Sequence, residues 1–204
     1  MRFIFKTFMY KRFLYMLLIL GFSIPAYAQD TVVTDLDLDR ISDTIRLDRE
    51  QGFIICQLST LAFRPVHSKP TDMESNAYLK KTRNGFEFRN NWMRAGYACQ
   101  FRFDAKMRRM QLIGMNRYEF GNAANDGSGE SSVNLLTGDY IGNWNYYDEQ
   151  HDTLIKMKPI KLKMPLPKTY LDQFSEDSYY QYADQCSDLF IRYKKADKKQ
   201  RKLS

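Results

Sequence analysis

Between residues 43 and 163 apolar side chains recur at every second position, in short runs broken by Gly, Asn, Asp and Pro. A period of two sends alternate side chains to opposite faces of an extended chain, so such runs bury their apolar face only as β-strands. "DTIRLDR" and "FIICQLST" flank "EQG" as a short hairpin. "NAYLKKTR" and "FEFRNNW" abut Asn84-Gly85, which suits the centre of a type I′ turn because both central residues there need positive φ. "AGYACQFRF" turns through Asp104-Ala105-Lys106 into "MRRMQLIGMNRYEF", whose irregular pattern implies partial burial on both faces. "SSVNLL" then meets "DYIGNWNYY" across Thr137-Gly138. "TLIKMK" and "IKLKMP" supply one or two further strands, kept to an edge by Pro159 and by lysines that discourage edge pairing.

The last forty or so residues change period. Pro165 and Pro167 end the strand pattern, and Ser175 is placed to cap a helix that carries Glu176 and Asp177 in its first turn. From there to about Lys195, Tyr179, Tyr182, Cys186, Leu189 and Tyr193 follow a helical spacing and form an inward stripe. The expected fold is mainly β (α+β), an antiparallel sheet of roughly eight to ten strands with a C-terminal helix. Residues 29–195 form its single domain, and residues 196–204 a basic tail.

The first 28 residues carry Arg2, Lys6, Lys11 and Arg12, then the apolar run "FLYMLLILGFSIPAYA" ending in Ala26-Tyr27-Ala28. Basic start, apolar middle and small-x-small end describe a signal peptide cleaved after Ala28, which places the mature chain in the periplasm or outside the cell. The run is shorter than the roughly 20 residues of a spanning helix and is broken by Gly21 and Pro25, so no stable membrane span is expected after cleavage.

The formal charge of +7 belongs mostly to the ends. Without the four basic residues of the leader, 27 basic residues face 24 acidic ones. The tail from Arg192 onward holds seven of those bases against Asp197 alone, which leaves residues 29–191 with 20 bases and 23 acids. A fold of that sign does not present a nucleic-acid surface, and the basic tail reads as a solvated helix end. Partners are expected among proteins or glycans.

Three cysteines leave one over after any pairing. Alternation puts Cys56 with Ile54 and Leu58, and Cys99 with Tyr97 and Phe101, while Cys186 lies on the inward helix stripe. All three read as core thiols, with a Cys56–Cys99 bridge as the alternative. His67 and His151 lack zinc-ligand spacing, and no G-x-S-x-G, P-loop or G-x-G-x-x-G is present. Catalysis is therefore disfavoured, and a hydrolase acting on cell-envelope glycan is the alternative to a binding module.

The sharpest chemical signal is "DLDLDRISD". Calcium takes six to eight oxygen ligands, which a short curled loop supplies from alternate positions. Asp35, Asp37, Asp39, the carbonyl of Ile41, and Asp43 occupy loop positions one, three, five, seven and nine. This D-x-D-x-D-x-x-x-D spacing, followed at once by the strand "DTIRLD", resembles the calcium loop of FG-GAP and VCBS-type repeats. The resemblance implies Ca2+ as a bound cofactor. One departure stands at position six, where Arg40 replaces the glycine of that pattern and must bear a positive φ. An ion-free loop of the same shape and a plain extended segment are the alternatives. More broadly, "FRNNWMRAGYACQFRF", "MQLIGMNRYEFG" and "GSGESSVNLLTGDYIGNWNYY" resemble uncharacterised secreted bacterial proteins, which implies a secreted β-rich domain without assigning an activity.

A second candidate lies in the loop "GNAANDGSGESS", where Asn125, Asp126, Ser128 and Glu130 could form a recognition tip or a weak oxygen site. Beside it Tyr140, Trp144 and Tyr146 share a strand face. Trp144 is a candidate platform for a sugar ring, and sheet core is the competing reading for all three aromatics.

Overall fold

The computed structural model describes residues 30–201; the expected signal peptide and residues 202–204 lie outside the described residues. The chain is mainly β, with two antiparallel sheets and one long C-terminal helix. Strands β1 (Thr31–Thr34), β2 (Asp43–Asp48), β3 (Phe53–Gln57) and β4 (Pro65–His67) pair in chain order as a four-stranded meander. Strands β5 (Tyr78–Thr82), β6 (Gly85–Asn91), β7 (Ala95–Asp104), β8 (Arg109–Glu119), β9 (Gly129–Asn134) and β10 (Asp139–Asp148) continue as a second meander. Strands β11 (Thr153–Lys156) and β12 (Ile160–Lys163) both pair with β10 and complete eight strands.

The strands thus divide between two sheets, where the sequence suggested one. The break falls at residues 68–77, where Pro70 cannot donate to a ladder and the backbone is held by scattered backbone bonds and by side chains. The Asn90 amide donates to the Asp72 carbonyl and accepts from the Glu74 N–H, and Arg49 donates to the carbonyls of Glu74 and Ala77. A single core joins both sheets, from Ile45, Ile54 and Cys56 on one to Phe86, Phe88, Phe101 and Tyr140 on the other.

Three local outcomes depart from the period-two reading. The β5–β6 hairpin forms, but Thr82 pairs with Gly85, so the two-residue connection is Arg83-Asn84 and Gly85 opens β6. Gly85 is required at φ +153°, where a Cβ would lie 2.0 Å from the Phe101 carbonyl oxygen. Neither Arg83 nor Asn84 has positive φ, so the turn is not type I′. At the far edge, β11 and β12 behave as one bulged strand. Asn145 pairs with Lys156 but Gly142 with Ile160, a one-residue change of register across Lys158-Pro159. Proline is tolerated there because an edge strand has no outer partner to receive its missing N–H.

Helix α1 (Glu176–Arg201) buries Tyr179, Tyr182, Cys186 and Leu189, as its spacing implied. The Tyr179 ring stacks on Tyr97 with centroids 3.9 Å apart, and the Tyr182 hydroxyl lies 2.7 Å from Ser131 Oγ. Tyr193 is instead 37% exposed. A stripe read at three-to-four spacing drifts around a long helix, and by the fourth turn Phe190 takes the inward place, edge-on to Trp144. The helix also outruns the expected end near Lys195 and enters the presumed tail. Asp197 accepts from the Tyr146 hydroxyl (2.9 Å) and pairs with Arg201 one turn on (2.7 Å). Basic residues in the last turn also complement the negative end of the helix dipole.

All three cysteines are buried free thiols, and no bridge joins Cys56 to Cys99. Burial first, then the nearby carboxylates of Asp43 and Asp37, push the Cys56 thiol up to about 12. Such thiols are packing groups rather than nucleophiles.

Candidate metal centre

The acidic stretch forms the loop between β1 and β2, and its shape is fixed by its own carboxylates. Asp35 Oδ1 accepts from the N–H groups of Leu38 (2.7 Å) and Asp39 (3.2 Å), and Asp35 Oδ2 from that of Arg40 (2.9 Å). The Ile41 N–H donates to Asp39 Oδ1 at 2.8 Å. This curl requires left-handed backbone at Leu38 (φ 68°) and Arg40 (φ 73°). Each costs on the order of 1 kcal/mol for a residue with a Cβ, which the carboxylate–amide hydrogen bonds offset. Arg40 thus adopts the positive φ that its place in the spacing demands.

The curl brings carboxylate oxygens of Asp35, Asp37 and Asp39 within 4.8 Å of one another. Three oxygen donors at alternate positions are a hard-ligand set and can hold a metal ion. Asp37 is 9% exposed, and its Oδ1 is buried without a hydrogen-bond partner. A buried acceptor oxygen without a donor is a cost that a bound cation would relieve.

Asp43 plays a different part from the one its spacing suggested. It is fully buried and outside the cluster. Its Oδ2 accepts from the N–H groups of Leu36 (2.7 Å) and Asp37 (3.2 Å), and its Oδ1 from that of Ser59 (2.8 Å). Asp43 therefore fastens the acidic loop to the end of β3. Ile41, expected to contribute its backbone carbonyl, is fixed in the curl by its N–H, and its side chain is exposed.

Ser59 and Thr60, in the helical turn after β3, are partners of the acidic loop that sequence spacing alone did not single out. Ser59 Oγ donates to Asp39 Oδ2 (2.5 Å), and Thr60 Oγ1 donates to Asp37 Oδ2 (2.6 Å). The Ser59 hydroxyl and then the Ile41 N–H hold the Asp39 carboxyl below the usual carboxylate range, so it stays ionised. More than twenty residues of sequence separate Asp37 from its Thr60 partner, and only the pairing of β2 with β3 closes that distance.

The second candidate does not assemble as a recognition tip. Asp126 is pinned by Lys194 Nζ at 2.7 and 2.8 Å and accepts from the Tyr147 N–H at 2.8 Å. Asn125 sits in the turn at φ 57°, its N–H donating to the Asn122 carbonyl, and Ser128 Oγ meets the Asn145 amide at 3.1 Å. This loop is thus docked between β10 and α1. Glu130 is exposed on β9, pointing to the sheet face away from the helix. Trp144 is 3% exposed, with its Nε1–H donating to the Tyr140 hydroxyl at 3.2 Å, and offers no open face to a sugar. It is core because its even-numbered neighbours on β10 face the helix.

The two histidines lie apart from the acidic loop. The His67 ring packs edge-on against Phe53, and His151 Nδ1 lies 2.8 Å from Asp148 Oδ2 at an exposed turn. Among the described residues no helix is long and apolar enough to cross a membrane. No family model matches the chain, and no curated protein or solved structure matches it either.

Proposed function

We propose that this chain is an exported, non-enzymatic binding module whose β1–β2 loop holds Ca2+. The observation that carries this reading is the convergence of Asp35, Asp37 and Asp39 on one point, with a buried Asp37 oxygen that no protein donor satisfies. A divalent cation would neutralise three crowded carboxylates and supply the missing partner. The loop's likeness to FG-GAP and VCBS-type calcium loops points the same way. Export rests on the signal-like leader, and millimolar extracellular calcium suffices for a site of modest affinity. Binding is favoured over glycan hydrolysis by the state of the acids. Asp104, the other carboxylate lining the adjoining cleft with Asp37, is held below its usual range chiefly by Lys168, and such a group is a poor general acid.

Calcium titration by calorimetry, with thermal melts in calcium and in chelator, tests the reading. At a hundredfold excess over Kd, calcium should stabilise the fold by about 2.7 kcal/mol. Asp37→Ala should abolish the heat and the melting shift. A wild-type protein that gives neither signal refutes the ion.

A further inference from the structure

Beside the acidic loop, the β7–β8 turn and the start of β8 close a cleft of about 590 Å³. Its lining includes Asp37, Asn84, Arg102, Phe103, Lys106 and Gln111. Asp37 belongs to both the cleft and the carboxylate cluster, and it is the residue whose buried Oδ1 lacks a partner. The end of β7 and the β7–β8 turn bring two bases to the same cleft, Arg102 and Lys106. Arg102 and Lys106 are exposed, and neither side chain has an ion-pair partner among the described residues. The remaining lining groups are the amides of Asn84 and Gln111, the half-buried ring of Phe103, the apolar side chains of Leu36, Leu38 and Ala105, and the carboxylate of Asp104, which is already paired with Lys168 at 3.0 Å and accepts from the Tyr170 hydroxyl.

From this juxtaposition we infer that the cleft binds an acidic oligosaccharide, a uronate whose carboxylate bridges the loop-bound cation and the Arg102/Lys106 pair. The inference rests on the calcium reading above and deepens it by naming the ligand class. Each group finds a counterpart in such a ligand. A cation held by only three side-chain carboxylates keeps coordination places open, and an external carboxylate is a hard donor suited to them. Arg102 offers a planar fork to a second carboxylate oxygen or a neighbouring residue's carboxylate, and Lys106 adds a mobile charge. Amides exchange hydrogen bonds with sugar hydroxyls, and an aromatic ring presents an apolar face to the C–H side of a pyranose. A neutral sugar would leave the two bases and the ion unmatched. A plain carboxylate would leave the amides and ring unused.

The test is calorimetry of the mature protein with trigalacturonate in calcium and in chelator, alongside neutral galactotriose and acetate. Binding should require calcium and be absent for galactotriose and acetate. Arg102→Ala combined with Lys106→Ala should weaken trigalacturonate by about tenfold or more. Both positions are exposed, so calcium binding and the calcium-dependent melting shift should persist in that variant. A calcium shift without trigalacturonate heat overturns the ligand and leaves the ion standing. Equal binding in chelator, equal binding of acetate, or indifference to the double variant overturns the bridge. No calcium shift in wild type overturns the ion reading and the bridge with it.

Discussion

Removing the Asp43 carboxylate separates an anchoring role from a ligand role. Asp43 is fully buried and accepts three backbone N–H groups, those of Leu36, Asp37 and Ser59. In Asp43→Ala the first two donors stay buried without partners, while the Ser59 N–H is only partly covered and can reach water. A buried donor stripped of a charged acceptor costs about 1–3 kcal/mol, so the loss should total about 3–5 kcal/mol. A chain of this size loses about 2–4 °C of Tm per kcal/mol, which predicts a fall of about 6–20 °C. Asp43→Asn keeps one acceptor oxygen and should recover about half of that. The assay is thermal unfolding in chelator and again in excess calcium. The structure requires the full drop in chelator, with the calcium increment largely retained where the loop still folds. If Asp43→Ala melts like wild type in chelator and loses only the calcium increment, Asp43 is a ligand and the anchoring account fails.

Other perturbations probe the core and the charges. Tyr182→Phe should cost about 1 kcal/mol by leaving Ser131 Oγ only its weak contact with Cys186 Sγ, whereas Tyr182→Asp, a charge at a fully buried site, should cost more than about 4 kcal/mol; an unchanged denaturation midpoint for the aspartate variant would show a detached helix. Gly85→Ala should lose about 2 kcal/mol or more, because its Cβ would strike the Phe101 carbonyl and β6 must shift, and denaturant unfolding that matches wild type would contradict the observed register. Burial raises the Asp126 carboxyl, but the Lys194 hydrogen bond and the Tyr147 N–H outweigh it and leave the group below its usual range. A lowered folded-state value contributes stability that is present above the unfolded value of about 3.9 and is lost as pH falls through the folded one. Denaturation midpoints between pH 2 and 6 should therefore fall on the acid side less steeply in Lys194→Met than in wild type, and identical slopes would dismiss the pair.

What the sequence determined by itself is local. Strand runs around Ile54, Phe88, Phe101 and Tyr146 follow from a two-residue period, and the inward helix residues Tyr179, Tyr182, Cys186 and Leu189 from a period near 3.6. Those periods reflect backbone geometry that neighbours in the chain already share. The curl of "DLDLDR" was legible for the same reason, since its hydrogen bonds span no more than five residues and force Arg40 to positive φ. Register and partnership were not legible. The turn at Arg83-Asn84 is set by the approach of the Phe101 carbonyl to Gly85, a contact across strands that no dipeptide preference encodes. The division into two sheets depends on Asn90 and Arg49 satisfying backbone far away in the chain. In the acidic loop, spacing could not tell a ligand from an anchor. Asp43 serves the Ser59 backbone, and Thr60 takes one Asp37 oxygen while the other has no donor; Ser59 and Thr60 arrive from the helical turn after β3, and only the tertiary fold brings them there.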